Sequence, residues 1–209
     1  MKRTLFYCMI MMSIFISACT STQPTTAPEP TISEPATSVP AVTETESEPT
    51  SMEATMSLQL TSDAFATGQS IPAKYSCIGK NISPALAWTE PPTGTQSLAL
   101  IVDDPDAPMG TWVHWVLFNI PADMRSLQED LPVTGKNVDP NAIYVGKNSS
   151  GSTSYQGPCP PSGTHRYFFK LYALDTTINL LPGGTKDQLL KEMEGHILAQ
   201  TELMGTFSK

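Results

Sequence analysis

Leu98-Ala99-Leu100-Ile101-Val102 runs without a polar side chain and then meets Asp103-Asp104-Pro105-Asp106-Ala107-Pro108. After Met109-Gly110-Thr111 comes Trp112-Val113-His114-Trp115-Val116-Leu117-Phe118-Asn119-Ile120. A short unbroken apolar run bounded by turn residues reads as a buried strand. The second stretch is rich in aromatic and β-branched side chains and reads as another. Between them, Pro105 and Pro108 lock φ and remove two backbone donors, so the loop has a set shape. It holds its carboxylates at a strand exit. Strict alternation along the second strand puts Trp112, His114, Val116 and Phe118 on one face.

Outward from this hairpin the texture repeats. His165 to Leu174 is again strand-like, with His165, Tyr167 and Phe169 on one face and Arg166 on the other. Arg166 is therefore expected in an ion pair outside any pocket. Gly and Pro punctuate the intervals, as at Pro91-Pro92 and Gly157 to Gly163. Thr185 to Gln200 differs. Leu189, Leu190, Met193, Ile197 and Leu198 fall at helical spacing, and Thr185 can cap them. The predicted fold is mainly β: an antiparallel two-sheet sandwich with a late helix packed on it.

The first 56 residues have another character. Lys2 and Arg3 precede a mostly apolar stretch from Thr4 to Ile16, and Ser17-Ala18 lead to Cys19. A spanning helix needs about 20 apolar residues, so the stretch is short for a permanent span and reads as an export signal. Ile16-Ser17-Ala18-Cys19 resembles the bacterial lipobox. That resemblance implies cleavage after residue 18 and a lipid on Cys19, with each buried CH₂ adding about 0.8 kcal/mol of membrane affinity. Residues 20–56 are mostly Thr, Ser, Pro, Glu and Ala with few large apolar side chains, and hold six Glu and no Lys or Arg. Such a segment cannot bury enough surface to offset its ordering entropy, and its prolines extend it. The expected organisation is a signal over 1–18, a lipidated Cys and tether over 19–56, and a folded domain over 57–209. The expected location is the extracytoplasmic face of a membrane in the cell envelope.

The domain keeps 14 acids against 10 bases, a net −4. A nucleic-acid surface needs clustered bases to neutralise phosphates, so none is expected. Three features could carry chemistry: the Asp103 to Pro108 loop, His114, and Gly157-Pro158-Cys159-Pro160-Pro161 leading into His165-Arg166-Tyr167. Each has a plainer reading as a turn or a satisfied core residue.

Taken together, these motifs resemble the phosphatidylethanolamine-binding protein family, whose bacterial members are often called Raf-kinase-inhibitor-like proteins. The likeness extends over residues 57–209 and includes Asn81-Ile82-Ser83-Pro84 and Gly205-Thr206-Phe207. It implies a two-sheet sandwich with a small pocket for phosphate, acetate or phosphorylated headgroups. By matching position, the pocket would be lined by Asp104, Pro108, Trp112, His114, Gly157, Pro161, His165 and Tyr167. The loop from Met109 to Thr111 is shorter than in eukaryotic relatives, which add a pocket tyrosine there. No cofactor and no obligatory metal is implied.

Once Cys8 leaves with the signal and Cys19 takes lipid, Cys77 and Cys159 remain. An even number in an oxidising compartment favours a bridge. The alternative is two separate thiols, with Cys159 reactive at the pocket rim. The leading functional expectation is a non-catalytic, membrane-tethered binding module for small anionic or phosphorylated ligands. A protein inhibitor or regulator of a hydrolase or kinase is the alternative. A metal-assisted hydrolase, built on two His and one Asp, is the third. No Gly-x-Ser-x-Gly nucleophile pattern is present.

Overall fold

The computed structural model describes residues 57–132 and 143–209, with the backbone of 137–138. The signal, Cys19 and the tether lie outside the described residues. Among the described residues, nine strands and one α-helix follow in order. They are β1 (Leu60–Thr61), β2 (Leu86–Trp88), β3 (Ser97–Asp104), β4 (Trp112–Pro121), β5 (Ser126–Leu127), β6 (Asn137–Val138), β7 (Ile143–Val145), β8 (Thr164–Leu174), α1 (Lys186–Met193) and β9 (Ile197–Ser208). A three-stranded sheet, β1-β2-β5, faces a six-stranded sheet, β6-β7-β4-β3-β8-β9. All the strand pairs within these two sheets are antiparallel. The fold is the predicted one: mainly β, two antiparallel sheets and one late helix.

β3 shows why its sequence carries no alternation. Every one of its residues is buried, because both faces are covered. Leu98, Leu100 and Val102 enter the core between the sheets, with Leu86, Trp88, Trp115, Leu117, Tyr167 and Phe169. Ala99 and Ile101 enter a second cluster with Val116, Phe118, Leu189 and Met193, where α1 covers the outer face. Burying a side chain such as Leu100 contributes roughly 1.5–3 kcal/mol.

Strict alternation along β4 does not hold. Val102 pairs with Trp115 but Asp103 pairs with Val113, so His114 is an inserted residue in a bulge. The bulge shifts the side-chain phase by one. Trp115 and Leu117 face the main core, while Val116 and Phe118 face α1. His114 is thereby separated from Val116 and Phe118 and packs edge-on against Tyr167, at 5.2 Å between ring centroids and 77°.

The helix is shorter than its spacing predicts. Thr185 caps it with a capping box, in which Gln188 N–H donates to Thr185 Oγ1 and Thr185 N–H to Gln188 Oε1. It stops at Met193 because Gly195 takes φ 79°, the left-handed turn that ends helices. Ile197 and Leu198 then open β9 and stay 43% and 42% exposed. Their helical spacing from Met193 is coincidental.

Candidate functional site

β3 ends, and β4 and β8 begin, at one end of the large sheet, and a cavity of about 270 Å³ opens there. Its lining is Asp104, Ala107, Pro108, Trp112, His114, Gln156, Cys159, Pro160, Pro161 and His165. The bulge in β4 delivers His114, and the register of β3 on β4 sets Asp104 opposite Trp112.

Each wall is fixed from behind. Asp104 Oδ1 accepts the Asp106 N–H at 2.8 Å, an Asx turn that shapes the Asp-Pro loop. Arg166 grips Asp106 with Nε and a terminal nitrogen, at 2.9 and 2.7 Å, and its own N–H adds a third bond at 2.9 Å. That clamp holds the Asp106 carboxyl down to about 2. Arg166 thus takes the ion-pair role expected of it. The opposite wall, residues 155–159, is strapped to the turn at 73–81. Gly157 N–H donates to Asn81 Oδ1 at 2.7 Å, Cys77 N–H to the Pro158 carbonyl at 3.1 Å, and Tyr155 Oη to the Tyr75 carbonyl at 3.1 Å. Cys77 and Cys159 are joined as a disulfide, with Cα atoms 5.4 Å apart.

Six of the eight expected lining residues meet at the cavity: Asp104, Pro108, Trp112, His114, Pro161 and His165. Gly157 and Tyr167 stand behind the wall instead. A Cβ on Gly157 would come within 2.1 Å of the Tyr75 carbonyl oxygen, so the glycine serves close backbone packing. Tyr167 supports His114 from beneath. Gln156, Ala107 and Pro160 line the cavity without having been expected there. Gln156 N–H donates to the His114 carbonyl at 3.1 Å, a pairing across 42 residues that no local pattern announces.

The hydrogen bonds settle the ring orientations. His114 Nδ1 lies 2.6 Å from the Gln156 carbonyl. A carbonyl only accepts, so Nδ1 carries a proton and the neutral ring keeps a bare lone pair on Nε2. His165 Nδ1 lies 2.7 Å from Asp104 Oδ2, and the carboxylate accepts from it. Burial pushes the His114 imidazole below its ordinary value, against the Gln156 carbonyl and the Asp104 and Asp103 carboxylates, which favour the charged form. Burial and then Asp104 push the Tyr167 phenol well above its ordinary value, so it stays protonated.

Among the described residues, four buried side-chain polar atoms lack a hydrogen-bond partner: His114 Nε2, Gln156 Oε1, Tyr167 Oη and Trp115 Nε1. The first three belong to the cavity wall or the layer directly behind it. Tyr167 Oη misses good geometry, although Asp104 and the Cys159 amide lie close enough to perturb it. Another hollow of about 300 Å³ lies by Thr111, Lys147, Asn148 and Lys186, but it holds none of these atoms. Asn148 there is fully engaged with Ser150, Ser152 and Ser154. Among the described residues, no group of three His, Cys, Asp or Glu could hold a metal ion.

The sequence pattern of the phosphatidylethanolamine-binding protein family matches residues 61–208. The chain belongs to that family. A UPF0098 protein of Methanothermobacter thermautotrophicus is 49% identical over 152 residues, which cover 73% of this chain and 99% of that relative. Two solved structures carry the likeness into three dimensions. One is a putative phosphatidylethanolamine-binding protein homolog from Chlamydia trachomatis, 43% identical with a TM-score of 0.67, over 73% of this chain and 98% of that one. The other is YbcL of Escherichia coli, described as a new member of the mammalian family, 32% identical with a TM-score of 0.68 and the same coverage. The bulge at His114, the Asp-Pro loop and the strapped wall all fall within the family match.

Proposed function

We propose that this member of the phosphatidylethanolamine-binding protein family is a non-catalytic binding module for small anionic or phosphorylated ligands, held at the extracytoplasmic face of a membrane by a lipid on Cys19. One observation carries the binding reading: His114 Nε2 and Gln156 Oε1 are buried at one cavity with no partner, over an unpaired Tyr167 hydroxyl. An unpaired buried polar atom costs about 1–3 kcal/mol, so a cluster of them is retained where something else completes it. Two imidazoles and a glutamine amide suit the oxygens of a phosphoryl or carboxylate group. The buried Asp104 carboxylate stands near and repels an anion, which keeps affinity modest. The cavity's single sulfur is tied up in the disulfide, which supports binding over nucleophilic chemistry.

Crystals grown from phosphate should show an ordered anion between His114 and His165. A cavity filled by water alone under saturating phosphate would overturn the binding reading. For the tether, Cys19→Ser should leave the chain unprocessed or release it from membrane fractions. A variant that matures and fractionates like the wild type would remove the lipid anchor from the account.

A further inference from the structure

We propose that the cavity selects phosphoryl anions that still carry a proton, because His114, with Nδ1 donating to the Gln156 carbonyl and Nε2 bare, accepts a P–OH. This rests on the anion-site reading above and narrows it to a ligand class. Donors and acceptors decide which anion fits. The Gln156 carbonyl holds the His114 proton on Nδ1 at 2.6 Å. The ring is 4% exposed, pinned against Tyr167, and cannot turn without breaking that bond. The atom left for a ligand is therefore an acceptor. An anion with no proton would set its own lone pairs against the one on Nε2, which is buried and has no other partner.

The groups around His114 reinforce this. Asp104 and Asp103, at the end of β3, are negative, and both of Asp104's oxygens are already engaged, by His165 and by the Asp106 amide. Tyr167 on β8 stays neutral, and His165 shares the cavity. None of these places a fixed cation beside Nε2. The lysines nearest in sequence to these strands, Lys170 and Lys186, are committed to Asp103. Gln156 complements the choice, because its amide has an unpaired end at the same cavity and either end of an amide can face a ligand. A hydrogen phosphate can donate through its hydroxyl to His114 and accept through its other oxygens.

This separates ligands of nearly equal size. Inorganic phosphate keeps a P–OH throughout the neutral range. A phosphate monoester, whether a free metabolite or the headgroup of a monoester lipid, holds one only below its second pKa of about 6. A phosphodiester, the linkage of a headgroup lipid, and sulfate hold none.

The test titrates the purified full chain with inorganic phosphate, sulfate, methyl phosphate and dimethyl phosphate at about pH 7.5, above the ordinary imidazole value. Binding is read from the imidazole proton resonances. Inorganic phosphate should bind at least about tenfold more tightly than sulfate and dimethyl phosphate, the discrimination expected when a buried acceptor is left facing another acceptor. Methyl phosphate should bind more weakly than inorganic phosphate at that pH and close the gap as pH falls through about 6. In His114→Gln, whose amide can present an N–H, the preference for phosphate over sulfate should shrink toward unity. Sulfate or methyl phosphate binding as tightly as inorganic phosphate to the wild type at about pH 7.5 would overturn the proton requirement while leaving the anion site standing. Binding of none of the four, there or at about pH 5.5, would overturn the anion site itself.

Discussion

Asp103 and Asp104 are neighbours at the end of one strand, buried to 1% and 3% exposure, and they face opposite sides of the sheet. On the helix side, Asp103 is closed. Lys170 reaches it from β8 at 2.9 Å and Lys186 from the first turn of α1. On the cavity side, Asp104 is only the first link of an open arrangement. It orients His165, and beside it His114 Nε2 and Gln156 Oε1 have no partner. A buried charge on both flanks would read alike from burial alone. What separates a structural site from a binding site here is the accounting of hydrogen bonds: complete on one face, incomplete on the other. The cavity side is also the one held by a covalent strap, Cys77 to Cys159.

Removing the strap has the largest expected effect. The bonded cysteines are 82 residues apart, and closing a loop of that size contributes up to about 4–5 kcal/mol in the chain-entropy description. Cys77→Ser with Cys159→Ser should approach that loss in denaturant unfolding and should weaken phosphate binding, since residues 156–161 form a cavity wall. A loss under about 1 kcal/mol with unaltered affinity would show that the hydrogen bonds at Asn81, Cys77 and Tyr155 suffice. Next comes the closed face. Lys170→Met with Lys186→Met strands the Asp103 carboxylate and should cost about 3 kcal/mol, the lower end of what breaking a buried ion pair costs. Ligand affinity should not change. A large change in affinity would mean that the two faces are coupled.

The open face should respond in the opposite way. His114→Phe removes one hydrogen bond to the Gln156 carbonyl and also one orphaned atom, so stability should move by less than about 1 kcal/mol while phosphate binding disappears. A severe loss of stability would make His114 a structural residue. The smallest effect is in pH. The folded value of His114 lies below its ordinary value, so as pH falls the unfolded chain takes the proton first. The stability that neutral His114 contributes is complete above about pH 6.5 and declines below it. Without ligand, the wild type should therefore lose unfolding free energy relative to His114→Phe between about pH 6.5 and 5. Parallel profiles for the two proteins would contradict the assignment.

Much of this was legible in the residues, for physical reasons. The apolar run from Leu98 to Val102 announces a strand covered on both faces, and the structure puts one core on each. The Asp-Pro loop fixes its own shape through φ and an Asx turn, so its place at the cavity follows from local chemistry. The bulge was not legible. Whether His114 stays in phase with Val116 depends on pairing with β3, and strict alternation assumes no inserted residue. The end of α1 was no more legible, because Ile197 and Leu198 satisfy helical spacing by chance although Gly195 stands before them as a stop. Gln156 gave no signal, because its role arises from backbone contact with a strand 42 residues away.

The proposed function makes the open face an anion site built on His114 and His165. Phosphate titration followed by NMR of the imidazole protons, repeated from about pH 7.5 down to about pH 5.5, tests it most directly. Phosphate should perturb both rings, its affinity should rise as pH falls and the anion takes up a further proton, which gives it another P–OH to donate and less negative charge against Asp104, and His114→Ala with His165→Ala should abolish binding. Equal affinity at both ends of that range, or unaltered affinity in the double variant, would contradict it.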